Sequence, residues 1–257
     1  MEPGARSVYR TVAVLNGLAA HPNGVSLSEL ARDLDLPVST VHRILQVLVE
    51  MGAARRVEGP PKQYSTGPGT LGLALGAPMT RALLQAARPV LEDLARRASE
   101  DVFFSTRTAY ELLYVIRVST SWDGLMTGYP GLRGPLHATA QGKVLIAPLS
   151  KVERRSLLAG LRFTAFTERT ITDRDHFVEE LDRVADRGYA TNDQEHDPGI
   201  QSVAAPVLDG AGNPIAAVCI GGPSDHIDLR NRQAVLGRIL IETASSIRHE
   251  MALQGVA

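Results

Sequence analysis

Two apolar stripes of helical period lie between Ser26 and Leu48 with only Asp35-Leu36-Pro37 between them, so two helices must fold back on each other across a very short break. The earlier stripe is Leu27, Leu30, Ala31 and Leu34, at i, i+3, i+4 and i+7. It opens on Ser26-Leu27-Ser28-Glu29, where the Ser26 hydroxyl can accept from the Glu29 amide while the Glu29 carboxylate reaches back. The later stripe is Val41, Ile44, Leu45 and Leu48. Pro37 suits its start, because an amide in the first helical turn needs no partner. A further helical pattern (Val8, Val12, Leu15, Leu18, Ala19) precedes both and stops at His21-Pro22-Asn23-Gly24. Residues 1–66 thus read as a compact helical unit.

The stripe on the third helix leaves Ser39, His42, Arg43 and Gln46 on its outer face, near the helix start. A recognition helix needs this arrangement, since its first turns enter the major groove and its side chains reach base edges or phosphates. Ser28 and Thr40 join the set of candidate DNA-contacting residues. Ala53-Ala54-Arg55-Arg56-Val57 and Lys62-Gln63-Tyr64-Ser65 then flank Glu58-Gly59-Pro60-Pro61, which predicts a hairpin, the wing of a winged helix-turn-helix. Arg55, Arg56 and Lys62 could lie along phosphates there. Three-helix units also serve as packing modules, and charge does not separate the two readings. Residues 1–66 hold seven basic against six acidic residues, a net of +1. DNA binding would have to come from placement of the arginines and from doubling in a dimer.

At 257 residues the chain is long enough for about two domains of ~150 residues each. Apolar residues make up 44% and charged residues 21%, a globular balance. The formal net charge of −1 excludes a polycation. Cys219 is the only cysteine, which excludes a disulfide framework and a zinc finger and points to a reducing, cytoplasmic setting. Met1 to Arg10 lacks an apolar stretch of signal-peptide length, and no run approaches the roughly 18 apolar residues that cross a bilayer. No membrane partner, cofactor or metal is expected.

Beyond residue 66, a linker over 67–82 carries Leu71, Leu73 and Leu75 and breaks near Gly76-Ala77-Pro78. The first helix and this linker carry more apolar surface than a monomeric head can cover. Residues 83–257 read as one α+β domain: an antiparallel sheet with flanking helices. Helices are suggested at Ala138–Leu149, Lys151–Ala159, Asp173–Arg187 and from Leu229 to about Met251. Strands are suggested at Val102–Thr106, Leu112–Val118, Tyr189–Asp193, Ile200–Leu208 and Ile215–Ile220, the last two joined by a turn at Asp209–Pro214. His137, Lys143, Glu195 and His196 invite a catalytic or metal reading. No H-E-x-x-H, G-x-S-x-G, Walker or G-x-G-x-x-G pattern supports one. Glu195 and His196 would point to opposite faces if the preceding strand continued through them. His137 is expected to fix a loop, and Lys143 to support structure or an interface.

Pro37-Val38-Ser39-Thr40-Val41-His42-Arg43-Ile44-Leu45 resembles the recognition helix of the isocitrate lyase regulator (IclR) family of bacterial transcription factors. The resemblance continues through Leu27-Ser28-Glu29-Leu30-Ala31, Pro135 to Lys143, Gly188-Tyr189-Ala190, Glu195, Ala204-Ala205-Pro206-Val207 and Gly221-Gly222-Pro223, covering residues 8–250. It implies a winged helix-turn-helix joined by a linker helix to a GAF-like effector domain. It also implies a homodimer or homotetramer, a double-stranded DNA operator and a small-molecule effector. Effector positions carried over from the family fall on Met126, Ala140, Gln141, Asn192, Ile200, Ser202, Cys219 and Gly221. Two of these depart from the acid-binding regulators of the family, where an Asp is often found at the Asn192 position and a Ser at that of Gly221. Trp122 lies near the same segment, and amides at the start of the helix beginning Ala138 could receive an anionic or carbonyl oxygen. No carried-over position is an arginine, which favours a carboxylate or neutral ligand over a phosphorylated one. Cys219 reads as a small buried residue. The expectation is a ligand-responsive transcriptional regulator and no enzyme; its rival is a small-molecule-binding enzyme with an accessory helical domain.

Overall fold

The computed structural model describes residues 3–254 except 22, 58, 60 and 120–127, with the side chains of Pro3, Leu75, Pro78 and Met79 also outside the described set. Met126 and Trp122 therefore lie outside the described residues. The chain divides into two compact units, Met1–Arg81 and Ala82–Ala257.

In the first unit, helices α1 (Pro3–Ala19), α2 (Leu27–Asp33) and α3 (Val38–Glu50) pack with a small antiparallel sheet. The sheet has strands β1 (Val25–Ser26), β2 (Ala54–Val57) and β3 (Gln63–Thr66) in the order β1-β3-β2. Ser26 caps α2 as its neighbours dictate: the Glu29 amide donates to Ser26 Oγ at 3.2 Å and the Ser26 amide donates to Glu29 Oε2 at 3.1 Å. Leu30, Ala31, Val41, Leu45 and Leu48 bury the two stripes against Val14, Leu18, Val25, Ala54 and Tyr64. Each large aliphatic side chain among them contributes about 1.5–3 kcal/mol by leaving water. On α1 the pattern departs from the sequence expectation. Leu18 is buried and Leu15 partly so, but Val14 takes the place assigned to Val12, while Val8 and Val12 are exposed. Val12 stands two residues from Val14, about 200° round the helix, so the two cannot share a face. Helix α4 (Gly69–Leu75) follows, with Leu71 and Leu73 exposed.

The second unit is a six-stranded sheet between two helical layers. Strands β4 (Asp101–Thr108), β5 (Glu111–Val118), β6 (Arg133–Pro135), β7 (Ala190–Asp193), β8 (Ile200–Leu208) and β9 (Pro214–Pro223) lie in the order β6-β5-β4-β9-β8-β7. All neighbours are antiparallel. Strand alternation sorts the side chains into two cores. Val102, Phe104, Val203, Ala205, Val218 and Ile220 pack with residues of α5 (Pro78–Ala98) and α10 (Leu229–Leu253). Phe103, Ala204, Ala217 and Cys219 pack on the other face with α6 (Ala140–Ile146), α7 (Lys151–Gly160) and α8 (Arg174–Arg187). A last short helix, α9 (Ser224–Ile227), leads into α10.

Strand β6 and the two-residue β1 go beyond the sequence expectation, since Arg-Gly-Pro and Val-Ser carry no strand alternation of their own. Helix α6 is shorter than its apolar run suggests. Thr139 is extended and its hydroxyl accepts from the Gly142 amide at 3.1 Å, so the helix starts two residues later than Ala138. Gly142 is required there: a Cβ would stand 2.1 Å from the Leu136 carbonyl oxygen, as α6 runs against its own entry segment. No helix among the described residues is long and apolar enough to cross a membrane.

Candidate functional site

Helix α3 presents Ser39, His42, Arg43 and Gln46 together on its exposed face, with Thr40 half-buried beside them and Ser28 exposed on α2. The wing hairpin forms as expected, with β2 and β3 paired antiparallel. Arg55 sits opposite Ser65 and Arg56 opposite Tyr64, so the two arginines leave opposite faces of β2. Arg55 Nε donates to Ser65 Oγ at 3.0 Å, which ties that side chain to the strand. Lys62 is exposed just before β3.

In the second unit a cavity lies on the α6 side of the sheet. Its floor follows cross-strand rows: Asn192 faces Ser202, Ser202 faces Gly221, and Phe103 faces Cys219. Gln141 and Ile200 complete the part drawn from the sequence. Ala140 does not line it, because its methyl group is buried in the core beneath α6. Five lining residues were missed: Phe103, Tyr114, Thr139, His196 and Asp197. Alternation along β4 and β5 could have offered Phe103 and Tyr114, whose rings meet edge-on with centroids 5.9 Å apart. Thr139 lies inside the Pro135 to Lys143 segment of the resemblance and His196 drew a catalytic or metal reading, but nothing in the sequence marks them or Asp197 as lining a cavity. The enclosed space is about 30 Å³, room for a few water molecules.

The polar groups around this cavity are already partly engaged. Asn192 Oδ1 accepts from the Glu195 amide at 2.7 Å, leaving its amide hydrogens for a ligand. His196 Nδ1 lies 2.6 Å from Asp197 Oδ2. Burial pushes the Cys219 thiol up to about 12, so it is a neutral lining group. Burial likewise raises Tyr114, which keeps its phenol protonated.

Strand β7 ends at Asp193, so Glu195 and His196 stand on a turn, yet they still diverge. Glu195 points inward to Lys143, Oε1 to Nζ at 2.6 Å, while His196 faces the cavity and tilts against Phe166. Lys143 Nζ also donates to the Thr191 carbonyl at 3.0 Å, and both side chains are buried. Burial raises the Glu195 carboxyl despite the opposing Lys143 charge, and its Oε2 has no hydrogen-bond partner among the described residues. This is a structural clamp between α6 and the turn after β7.

Similarity to known proteins agrees with the geometry of both units. The model of the IclR helix-turn-helix domain matches residues 7–58, and that of the bacterial transcriptional regulator IclR C-terminal domain matches residues 79–249. The chain belongs to the IclR family. The HTH-type transcriptional regulator BhcR of Paracoccus denitrificans is 30% identical over 249 residues, 97% of this chain and 88% of that protein. The crystal structure of an IclR homologue from Microbacterium hydrocarbonoxydans, complexed with 4-hydroxybenzoate, is 25% identical with a TM-score of 0.78, covering 96% of this chain and 99% of that one. The Thermotoga maritima IclR structure is 25% identical with a TM-score of 0.67, covering 96% and 99%.

This IclR-family chain is therefore a DNA-binding transcriptional regulator that responds to a small metabolite, and not an enzyme with an accessory helical domain. His137 fits that conclusion as a fixing group. Its Nε2 meets the Thr164 carbonyl at 2.9 Å and must donate there, which leaves a bare, buried Nδ1 with no hydrogen-bond partner among the described residues. Burial accordingly lowers its pKa. The unfolded chain takes up a proton below the ordinary value of 6.5 that the folded regulator refuses. The contribution of His137 to stability is thus complete above that pH and is lost as pH falls through the folded pKa. In His137→Gln this loss should shrink. Urea midpoints of the second unit's transition at pH 5 and pH 7 measure it, and an unchanged difference between wild type and variant would refute the assignment.

Proposed function

We propose that residues 1–66 are the operator-reading head, 67–82 a linker and 83–257 the effector domain, working on DNA in the cytoplasm. The observation that carries this reading is α3, whose polar face of Ser39, His42, Arg43 and Gln46 stands exposed over a buried stripe of Val41, Leu45 and Leu48. Side chains on such a face reach base edges in the major groove. Ser28, Thr40, Arg55, Arg56 and Lys62 would add contacts, with only one wing arginine on each side of the hairpin.

Homodimerisation through the head and linker is supported by Val8, Tyr9 and Val12 on α1 and by Leu71 and Leu73 on α4, all exposed large hydrophobic residues. A dimer of heads would suit a pseudo-palindromic operator.

For the effector we infer a small polar metabolite held by Gln141, Asn192 and Ser202 against Ile200, Cys219 and the open position at Gly221. Asp197 on the same wall favours a hydroxyl or amide donor over a second carboxylate. The relative that holds 4-hydroxybenzoate shows a hydroxylated aromatic acid in a protein of this shape. Ligand pockets commonly have about 300–1,000 Å³, against about 30 Å³ here. A metabolite must therefore widen the cavity, and its preference for the widened form is what can shift operator affinity, typically by about 1–3 kcal/mol.

Three outcomes are expected. Arg43→Ala weakens binding to a duplex selected on the wild-type protein by about 1–3 kcal/mol and relaxes preference at one base pair. Wild-type affinity with the fold intact would remove α3 from the role. Sedimentation at micromolar concentration shows a dimer or larger species, whereas a lone monomer would end the oligomer reading. Ser202→Leu with Gly221→Leu abolishes the ligand response on the operator and leaves ligand-free DNA affinity nearly unchanged. A surviving response would place the pocket elsewhere.

A further inference from the structure

Helix α1 turns two unlike faces outward. One carries Val8, Tyr9 and Val12. The other carries Arg6 and Arg10, one turn apart, and these line an open groove of about 440 Å³ shared with Thr40, Arg43 and Val47 of α3. Among the described residues, no carboxylate lines that groove. None of its three guanidinium groups has an acidic partner among them either, whereas in the second unit Arg96, Arg117 and Arg187 each hold a carboxylate. In a head whose net charge is only +1, three of the seven basic residues line this one groove. Three like charges around one groove repel each other, and an anion seated between them offsets that repulsion.

We propose that this groove seats a backbone phosphate of the DNA duplex, with Arg6 and Arg10 as phosphate-holding residues. The inference rests on the reading of α3 as the DNA-contacting helix and adds a second, sequence-blind surface beside it. Arg43 stands at the lip shared by the groove and the recognition face, and Thr40 adds a hydroxyl donor. A phosphate held there would fix how deeply α3 enters the major groove, because phosphate contacts set register while base contacts set sequence. The occupant is DNA and not a second copy of the chain, since the groove wall is cationic and the apolar face of α1 lies on its other side.

The test uses the full chain with Arg6→Ala/Arg10→Ala and, separately, Arg6→Lys/Arg10→Lys. Binding is measured over a salt series on two duplexes, one selected on the wild-type protein and one of scrambled sequence. The alanine variant should bind both duplexes more weakly by a similar factor, on the order of tenfold. Its plot of log K against log salt should be shallower by about 0.9 for each phosphate that is no longer neutralised. The lysine variant should recover most of the slope, because a phosphate accepts a point charge. Unchanged affinity and slope would overturn the proposal while leaving α3 in its role. A weakening confined to the selected duplex would make these residues base readers and overturn it too. So would an alanine variant that sediments as a smaller species than wild type, which would assign the groove to a second copy. Failure of the wild-type chain to bind either duplex would sink the α3 reading itself, and the proposal with it.

Discussion

The interaction on which the second unit depends is the buried pair of Lys143 and Glu195. Removing two such charges from water costs several kcal/mol for each, so the pair adds little net stability over apolar residues of the same size. Its effect is geometric. Lys143 stands on the seven-residue α6, Glu195 on the turn after β7, and the ammonium also takes the Thr191 carbonyl. Thr170 then donates to the Glu195 carbonyl at 2.6 Å, and the Glu195 amide donates to Asn192. A charge left alone in this place would cost about 3–5 kcal/mol, so these segments are held together or the arrangement fails as a whole. Gln141, Asn192, His196 and Asp197 all sit within a few residues of these anchors, and the cavity inherits its shape from them.

That rigidity bears on how a ligand acts. The cavity walled by Phe103, Tyr114 and Cys219 on the strands and by His196 and Asp197 of the turn after β7 has space for a few waters, so the proposed effector needs some wall to move. The strands are braced on both faces by packed cores. The turn after β7 carries His196 and Asp197, whose side chains meet at 2.6 Å, and a ligand that engages either would act on the turn directly. Any effect on DNA then follows from the ligand's unequal affinity for two arrangements of the chain.

Much of the first unit is legible in its residues. The capping box at Ser26, the stop at Asp35-Leu36-Pro37 and the stripe Val41, Leu45, Leu48 each involve side chains within one or two turns, and the exposed face of α3 follows from them. The strands of the second unit are legible too, because β-branched and aromatic runs separated by turn residues leave few other readings. Legibility fails where burial is decided by distant neighbours. Val12 looks as apolar as Val14, yet only the way α1 lies on its unit exposes one and buries the other. Arg55 and Arg56 look like a pair, and the pleat of β2 parts them.

The cavity divides along the same line. Ser202, Gly221 and Asn192 fall on positions carried over from the family, two of them with a departing residue, and strand alternation puts them on one face once β7, β8 and β9 are neighbours. Phe103 and Thr139 are not among the carried-over positions, and Ala140 falls into the core although its neighbours Thr139 and Gln141 reach the cavity. The residues themselves determined a helix-turn-helix head and an antiparallel α+β domain, because period, capping and turn chemistry act between near neighbours. The family was legible only through the resemblance of whole segments such as Pro37 to Leu45. The tertiary structure alone decided which side chains share the cavity, that Lys143 meets Glu195, and that Arg6 and Arg10 share a groove with α3. Those pairings join segments far apart in the chain, and only sheet order and helix packing bring them within reach.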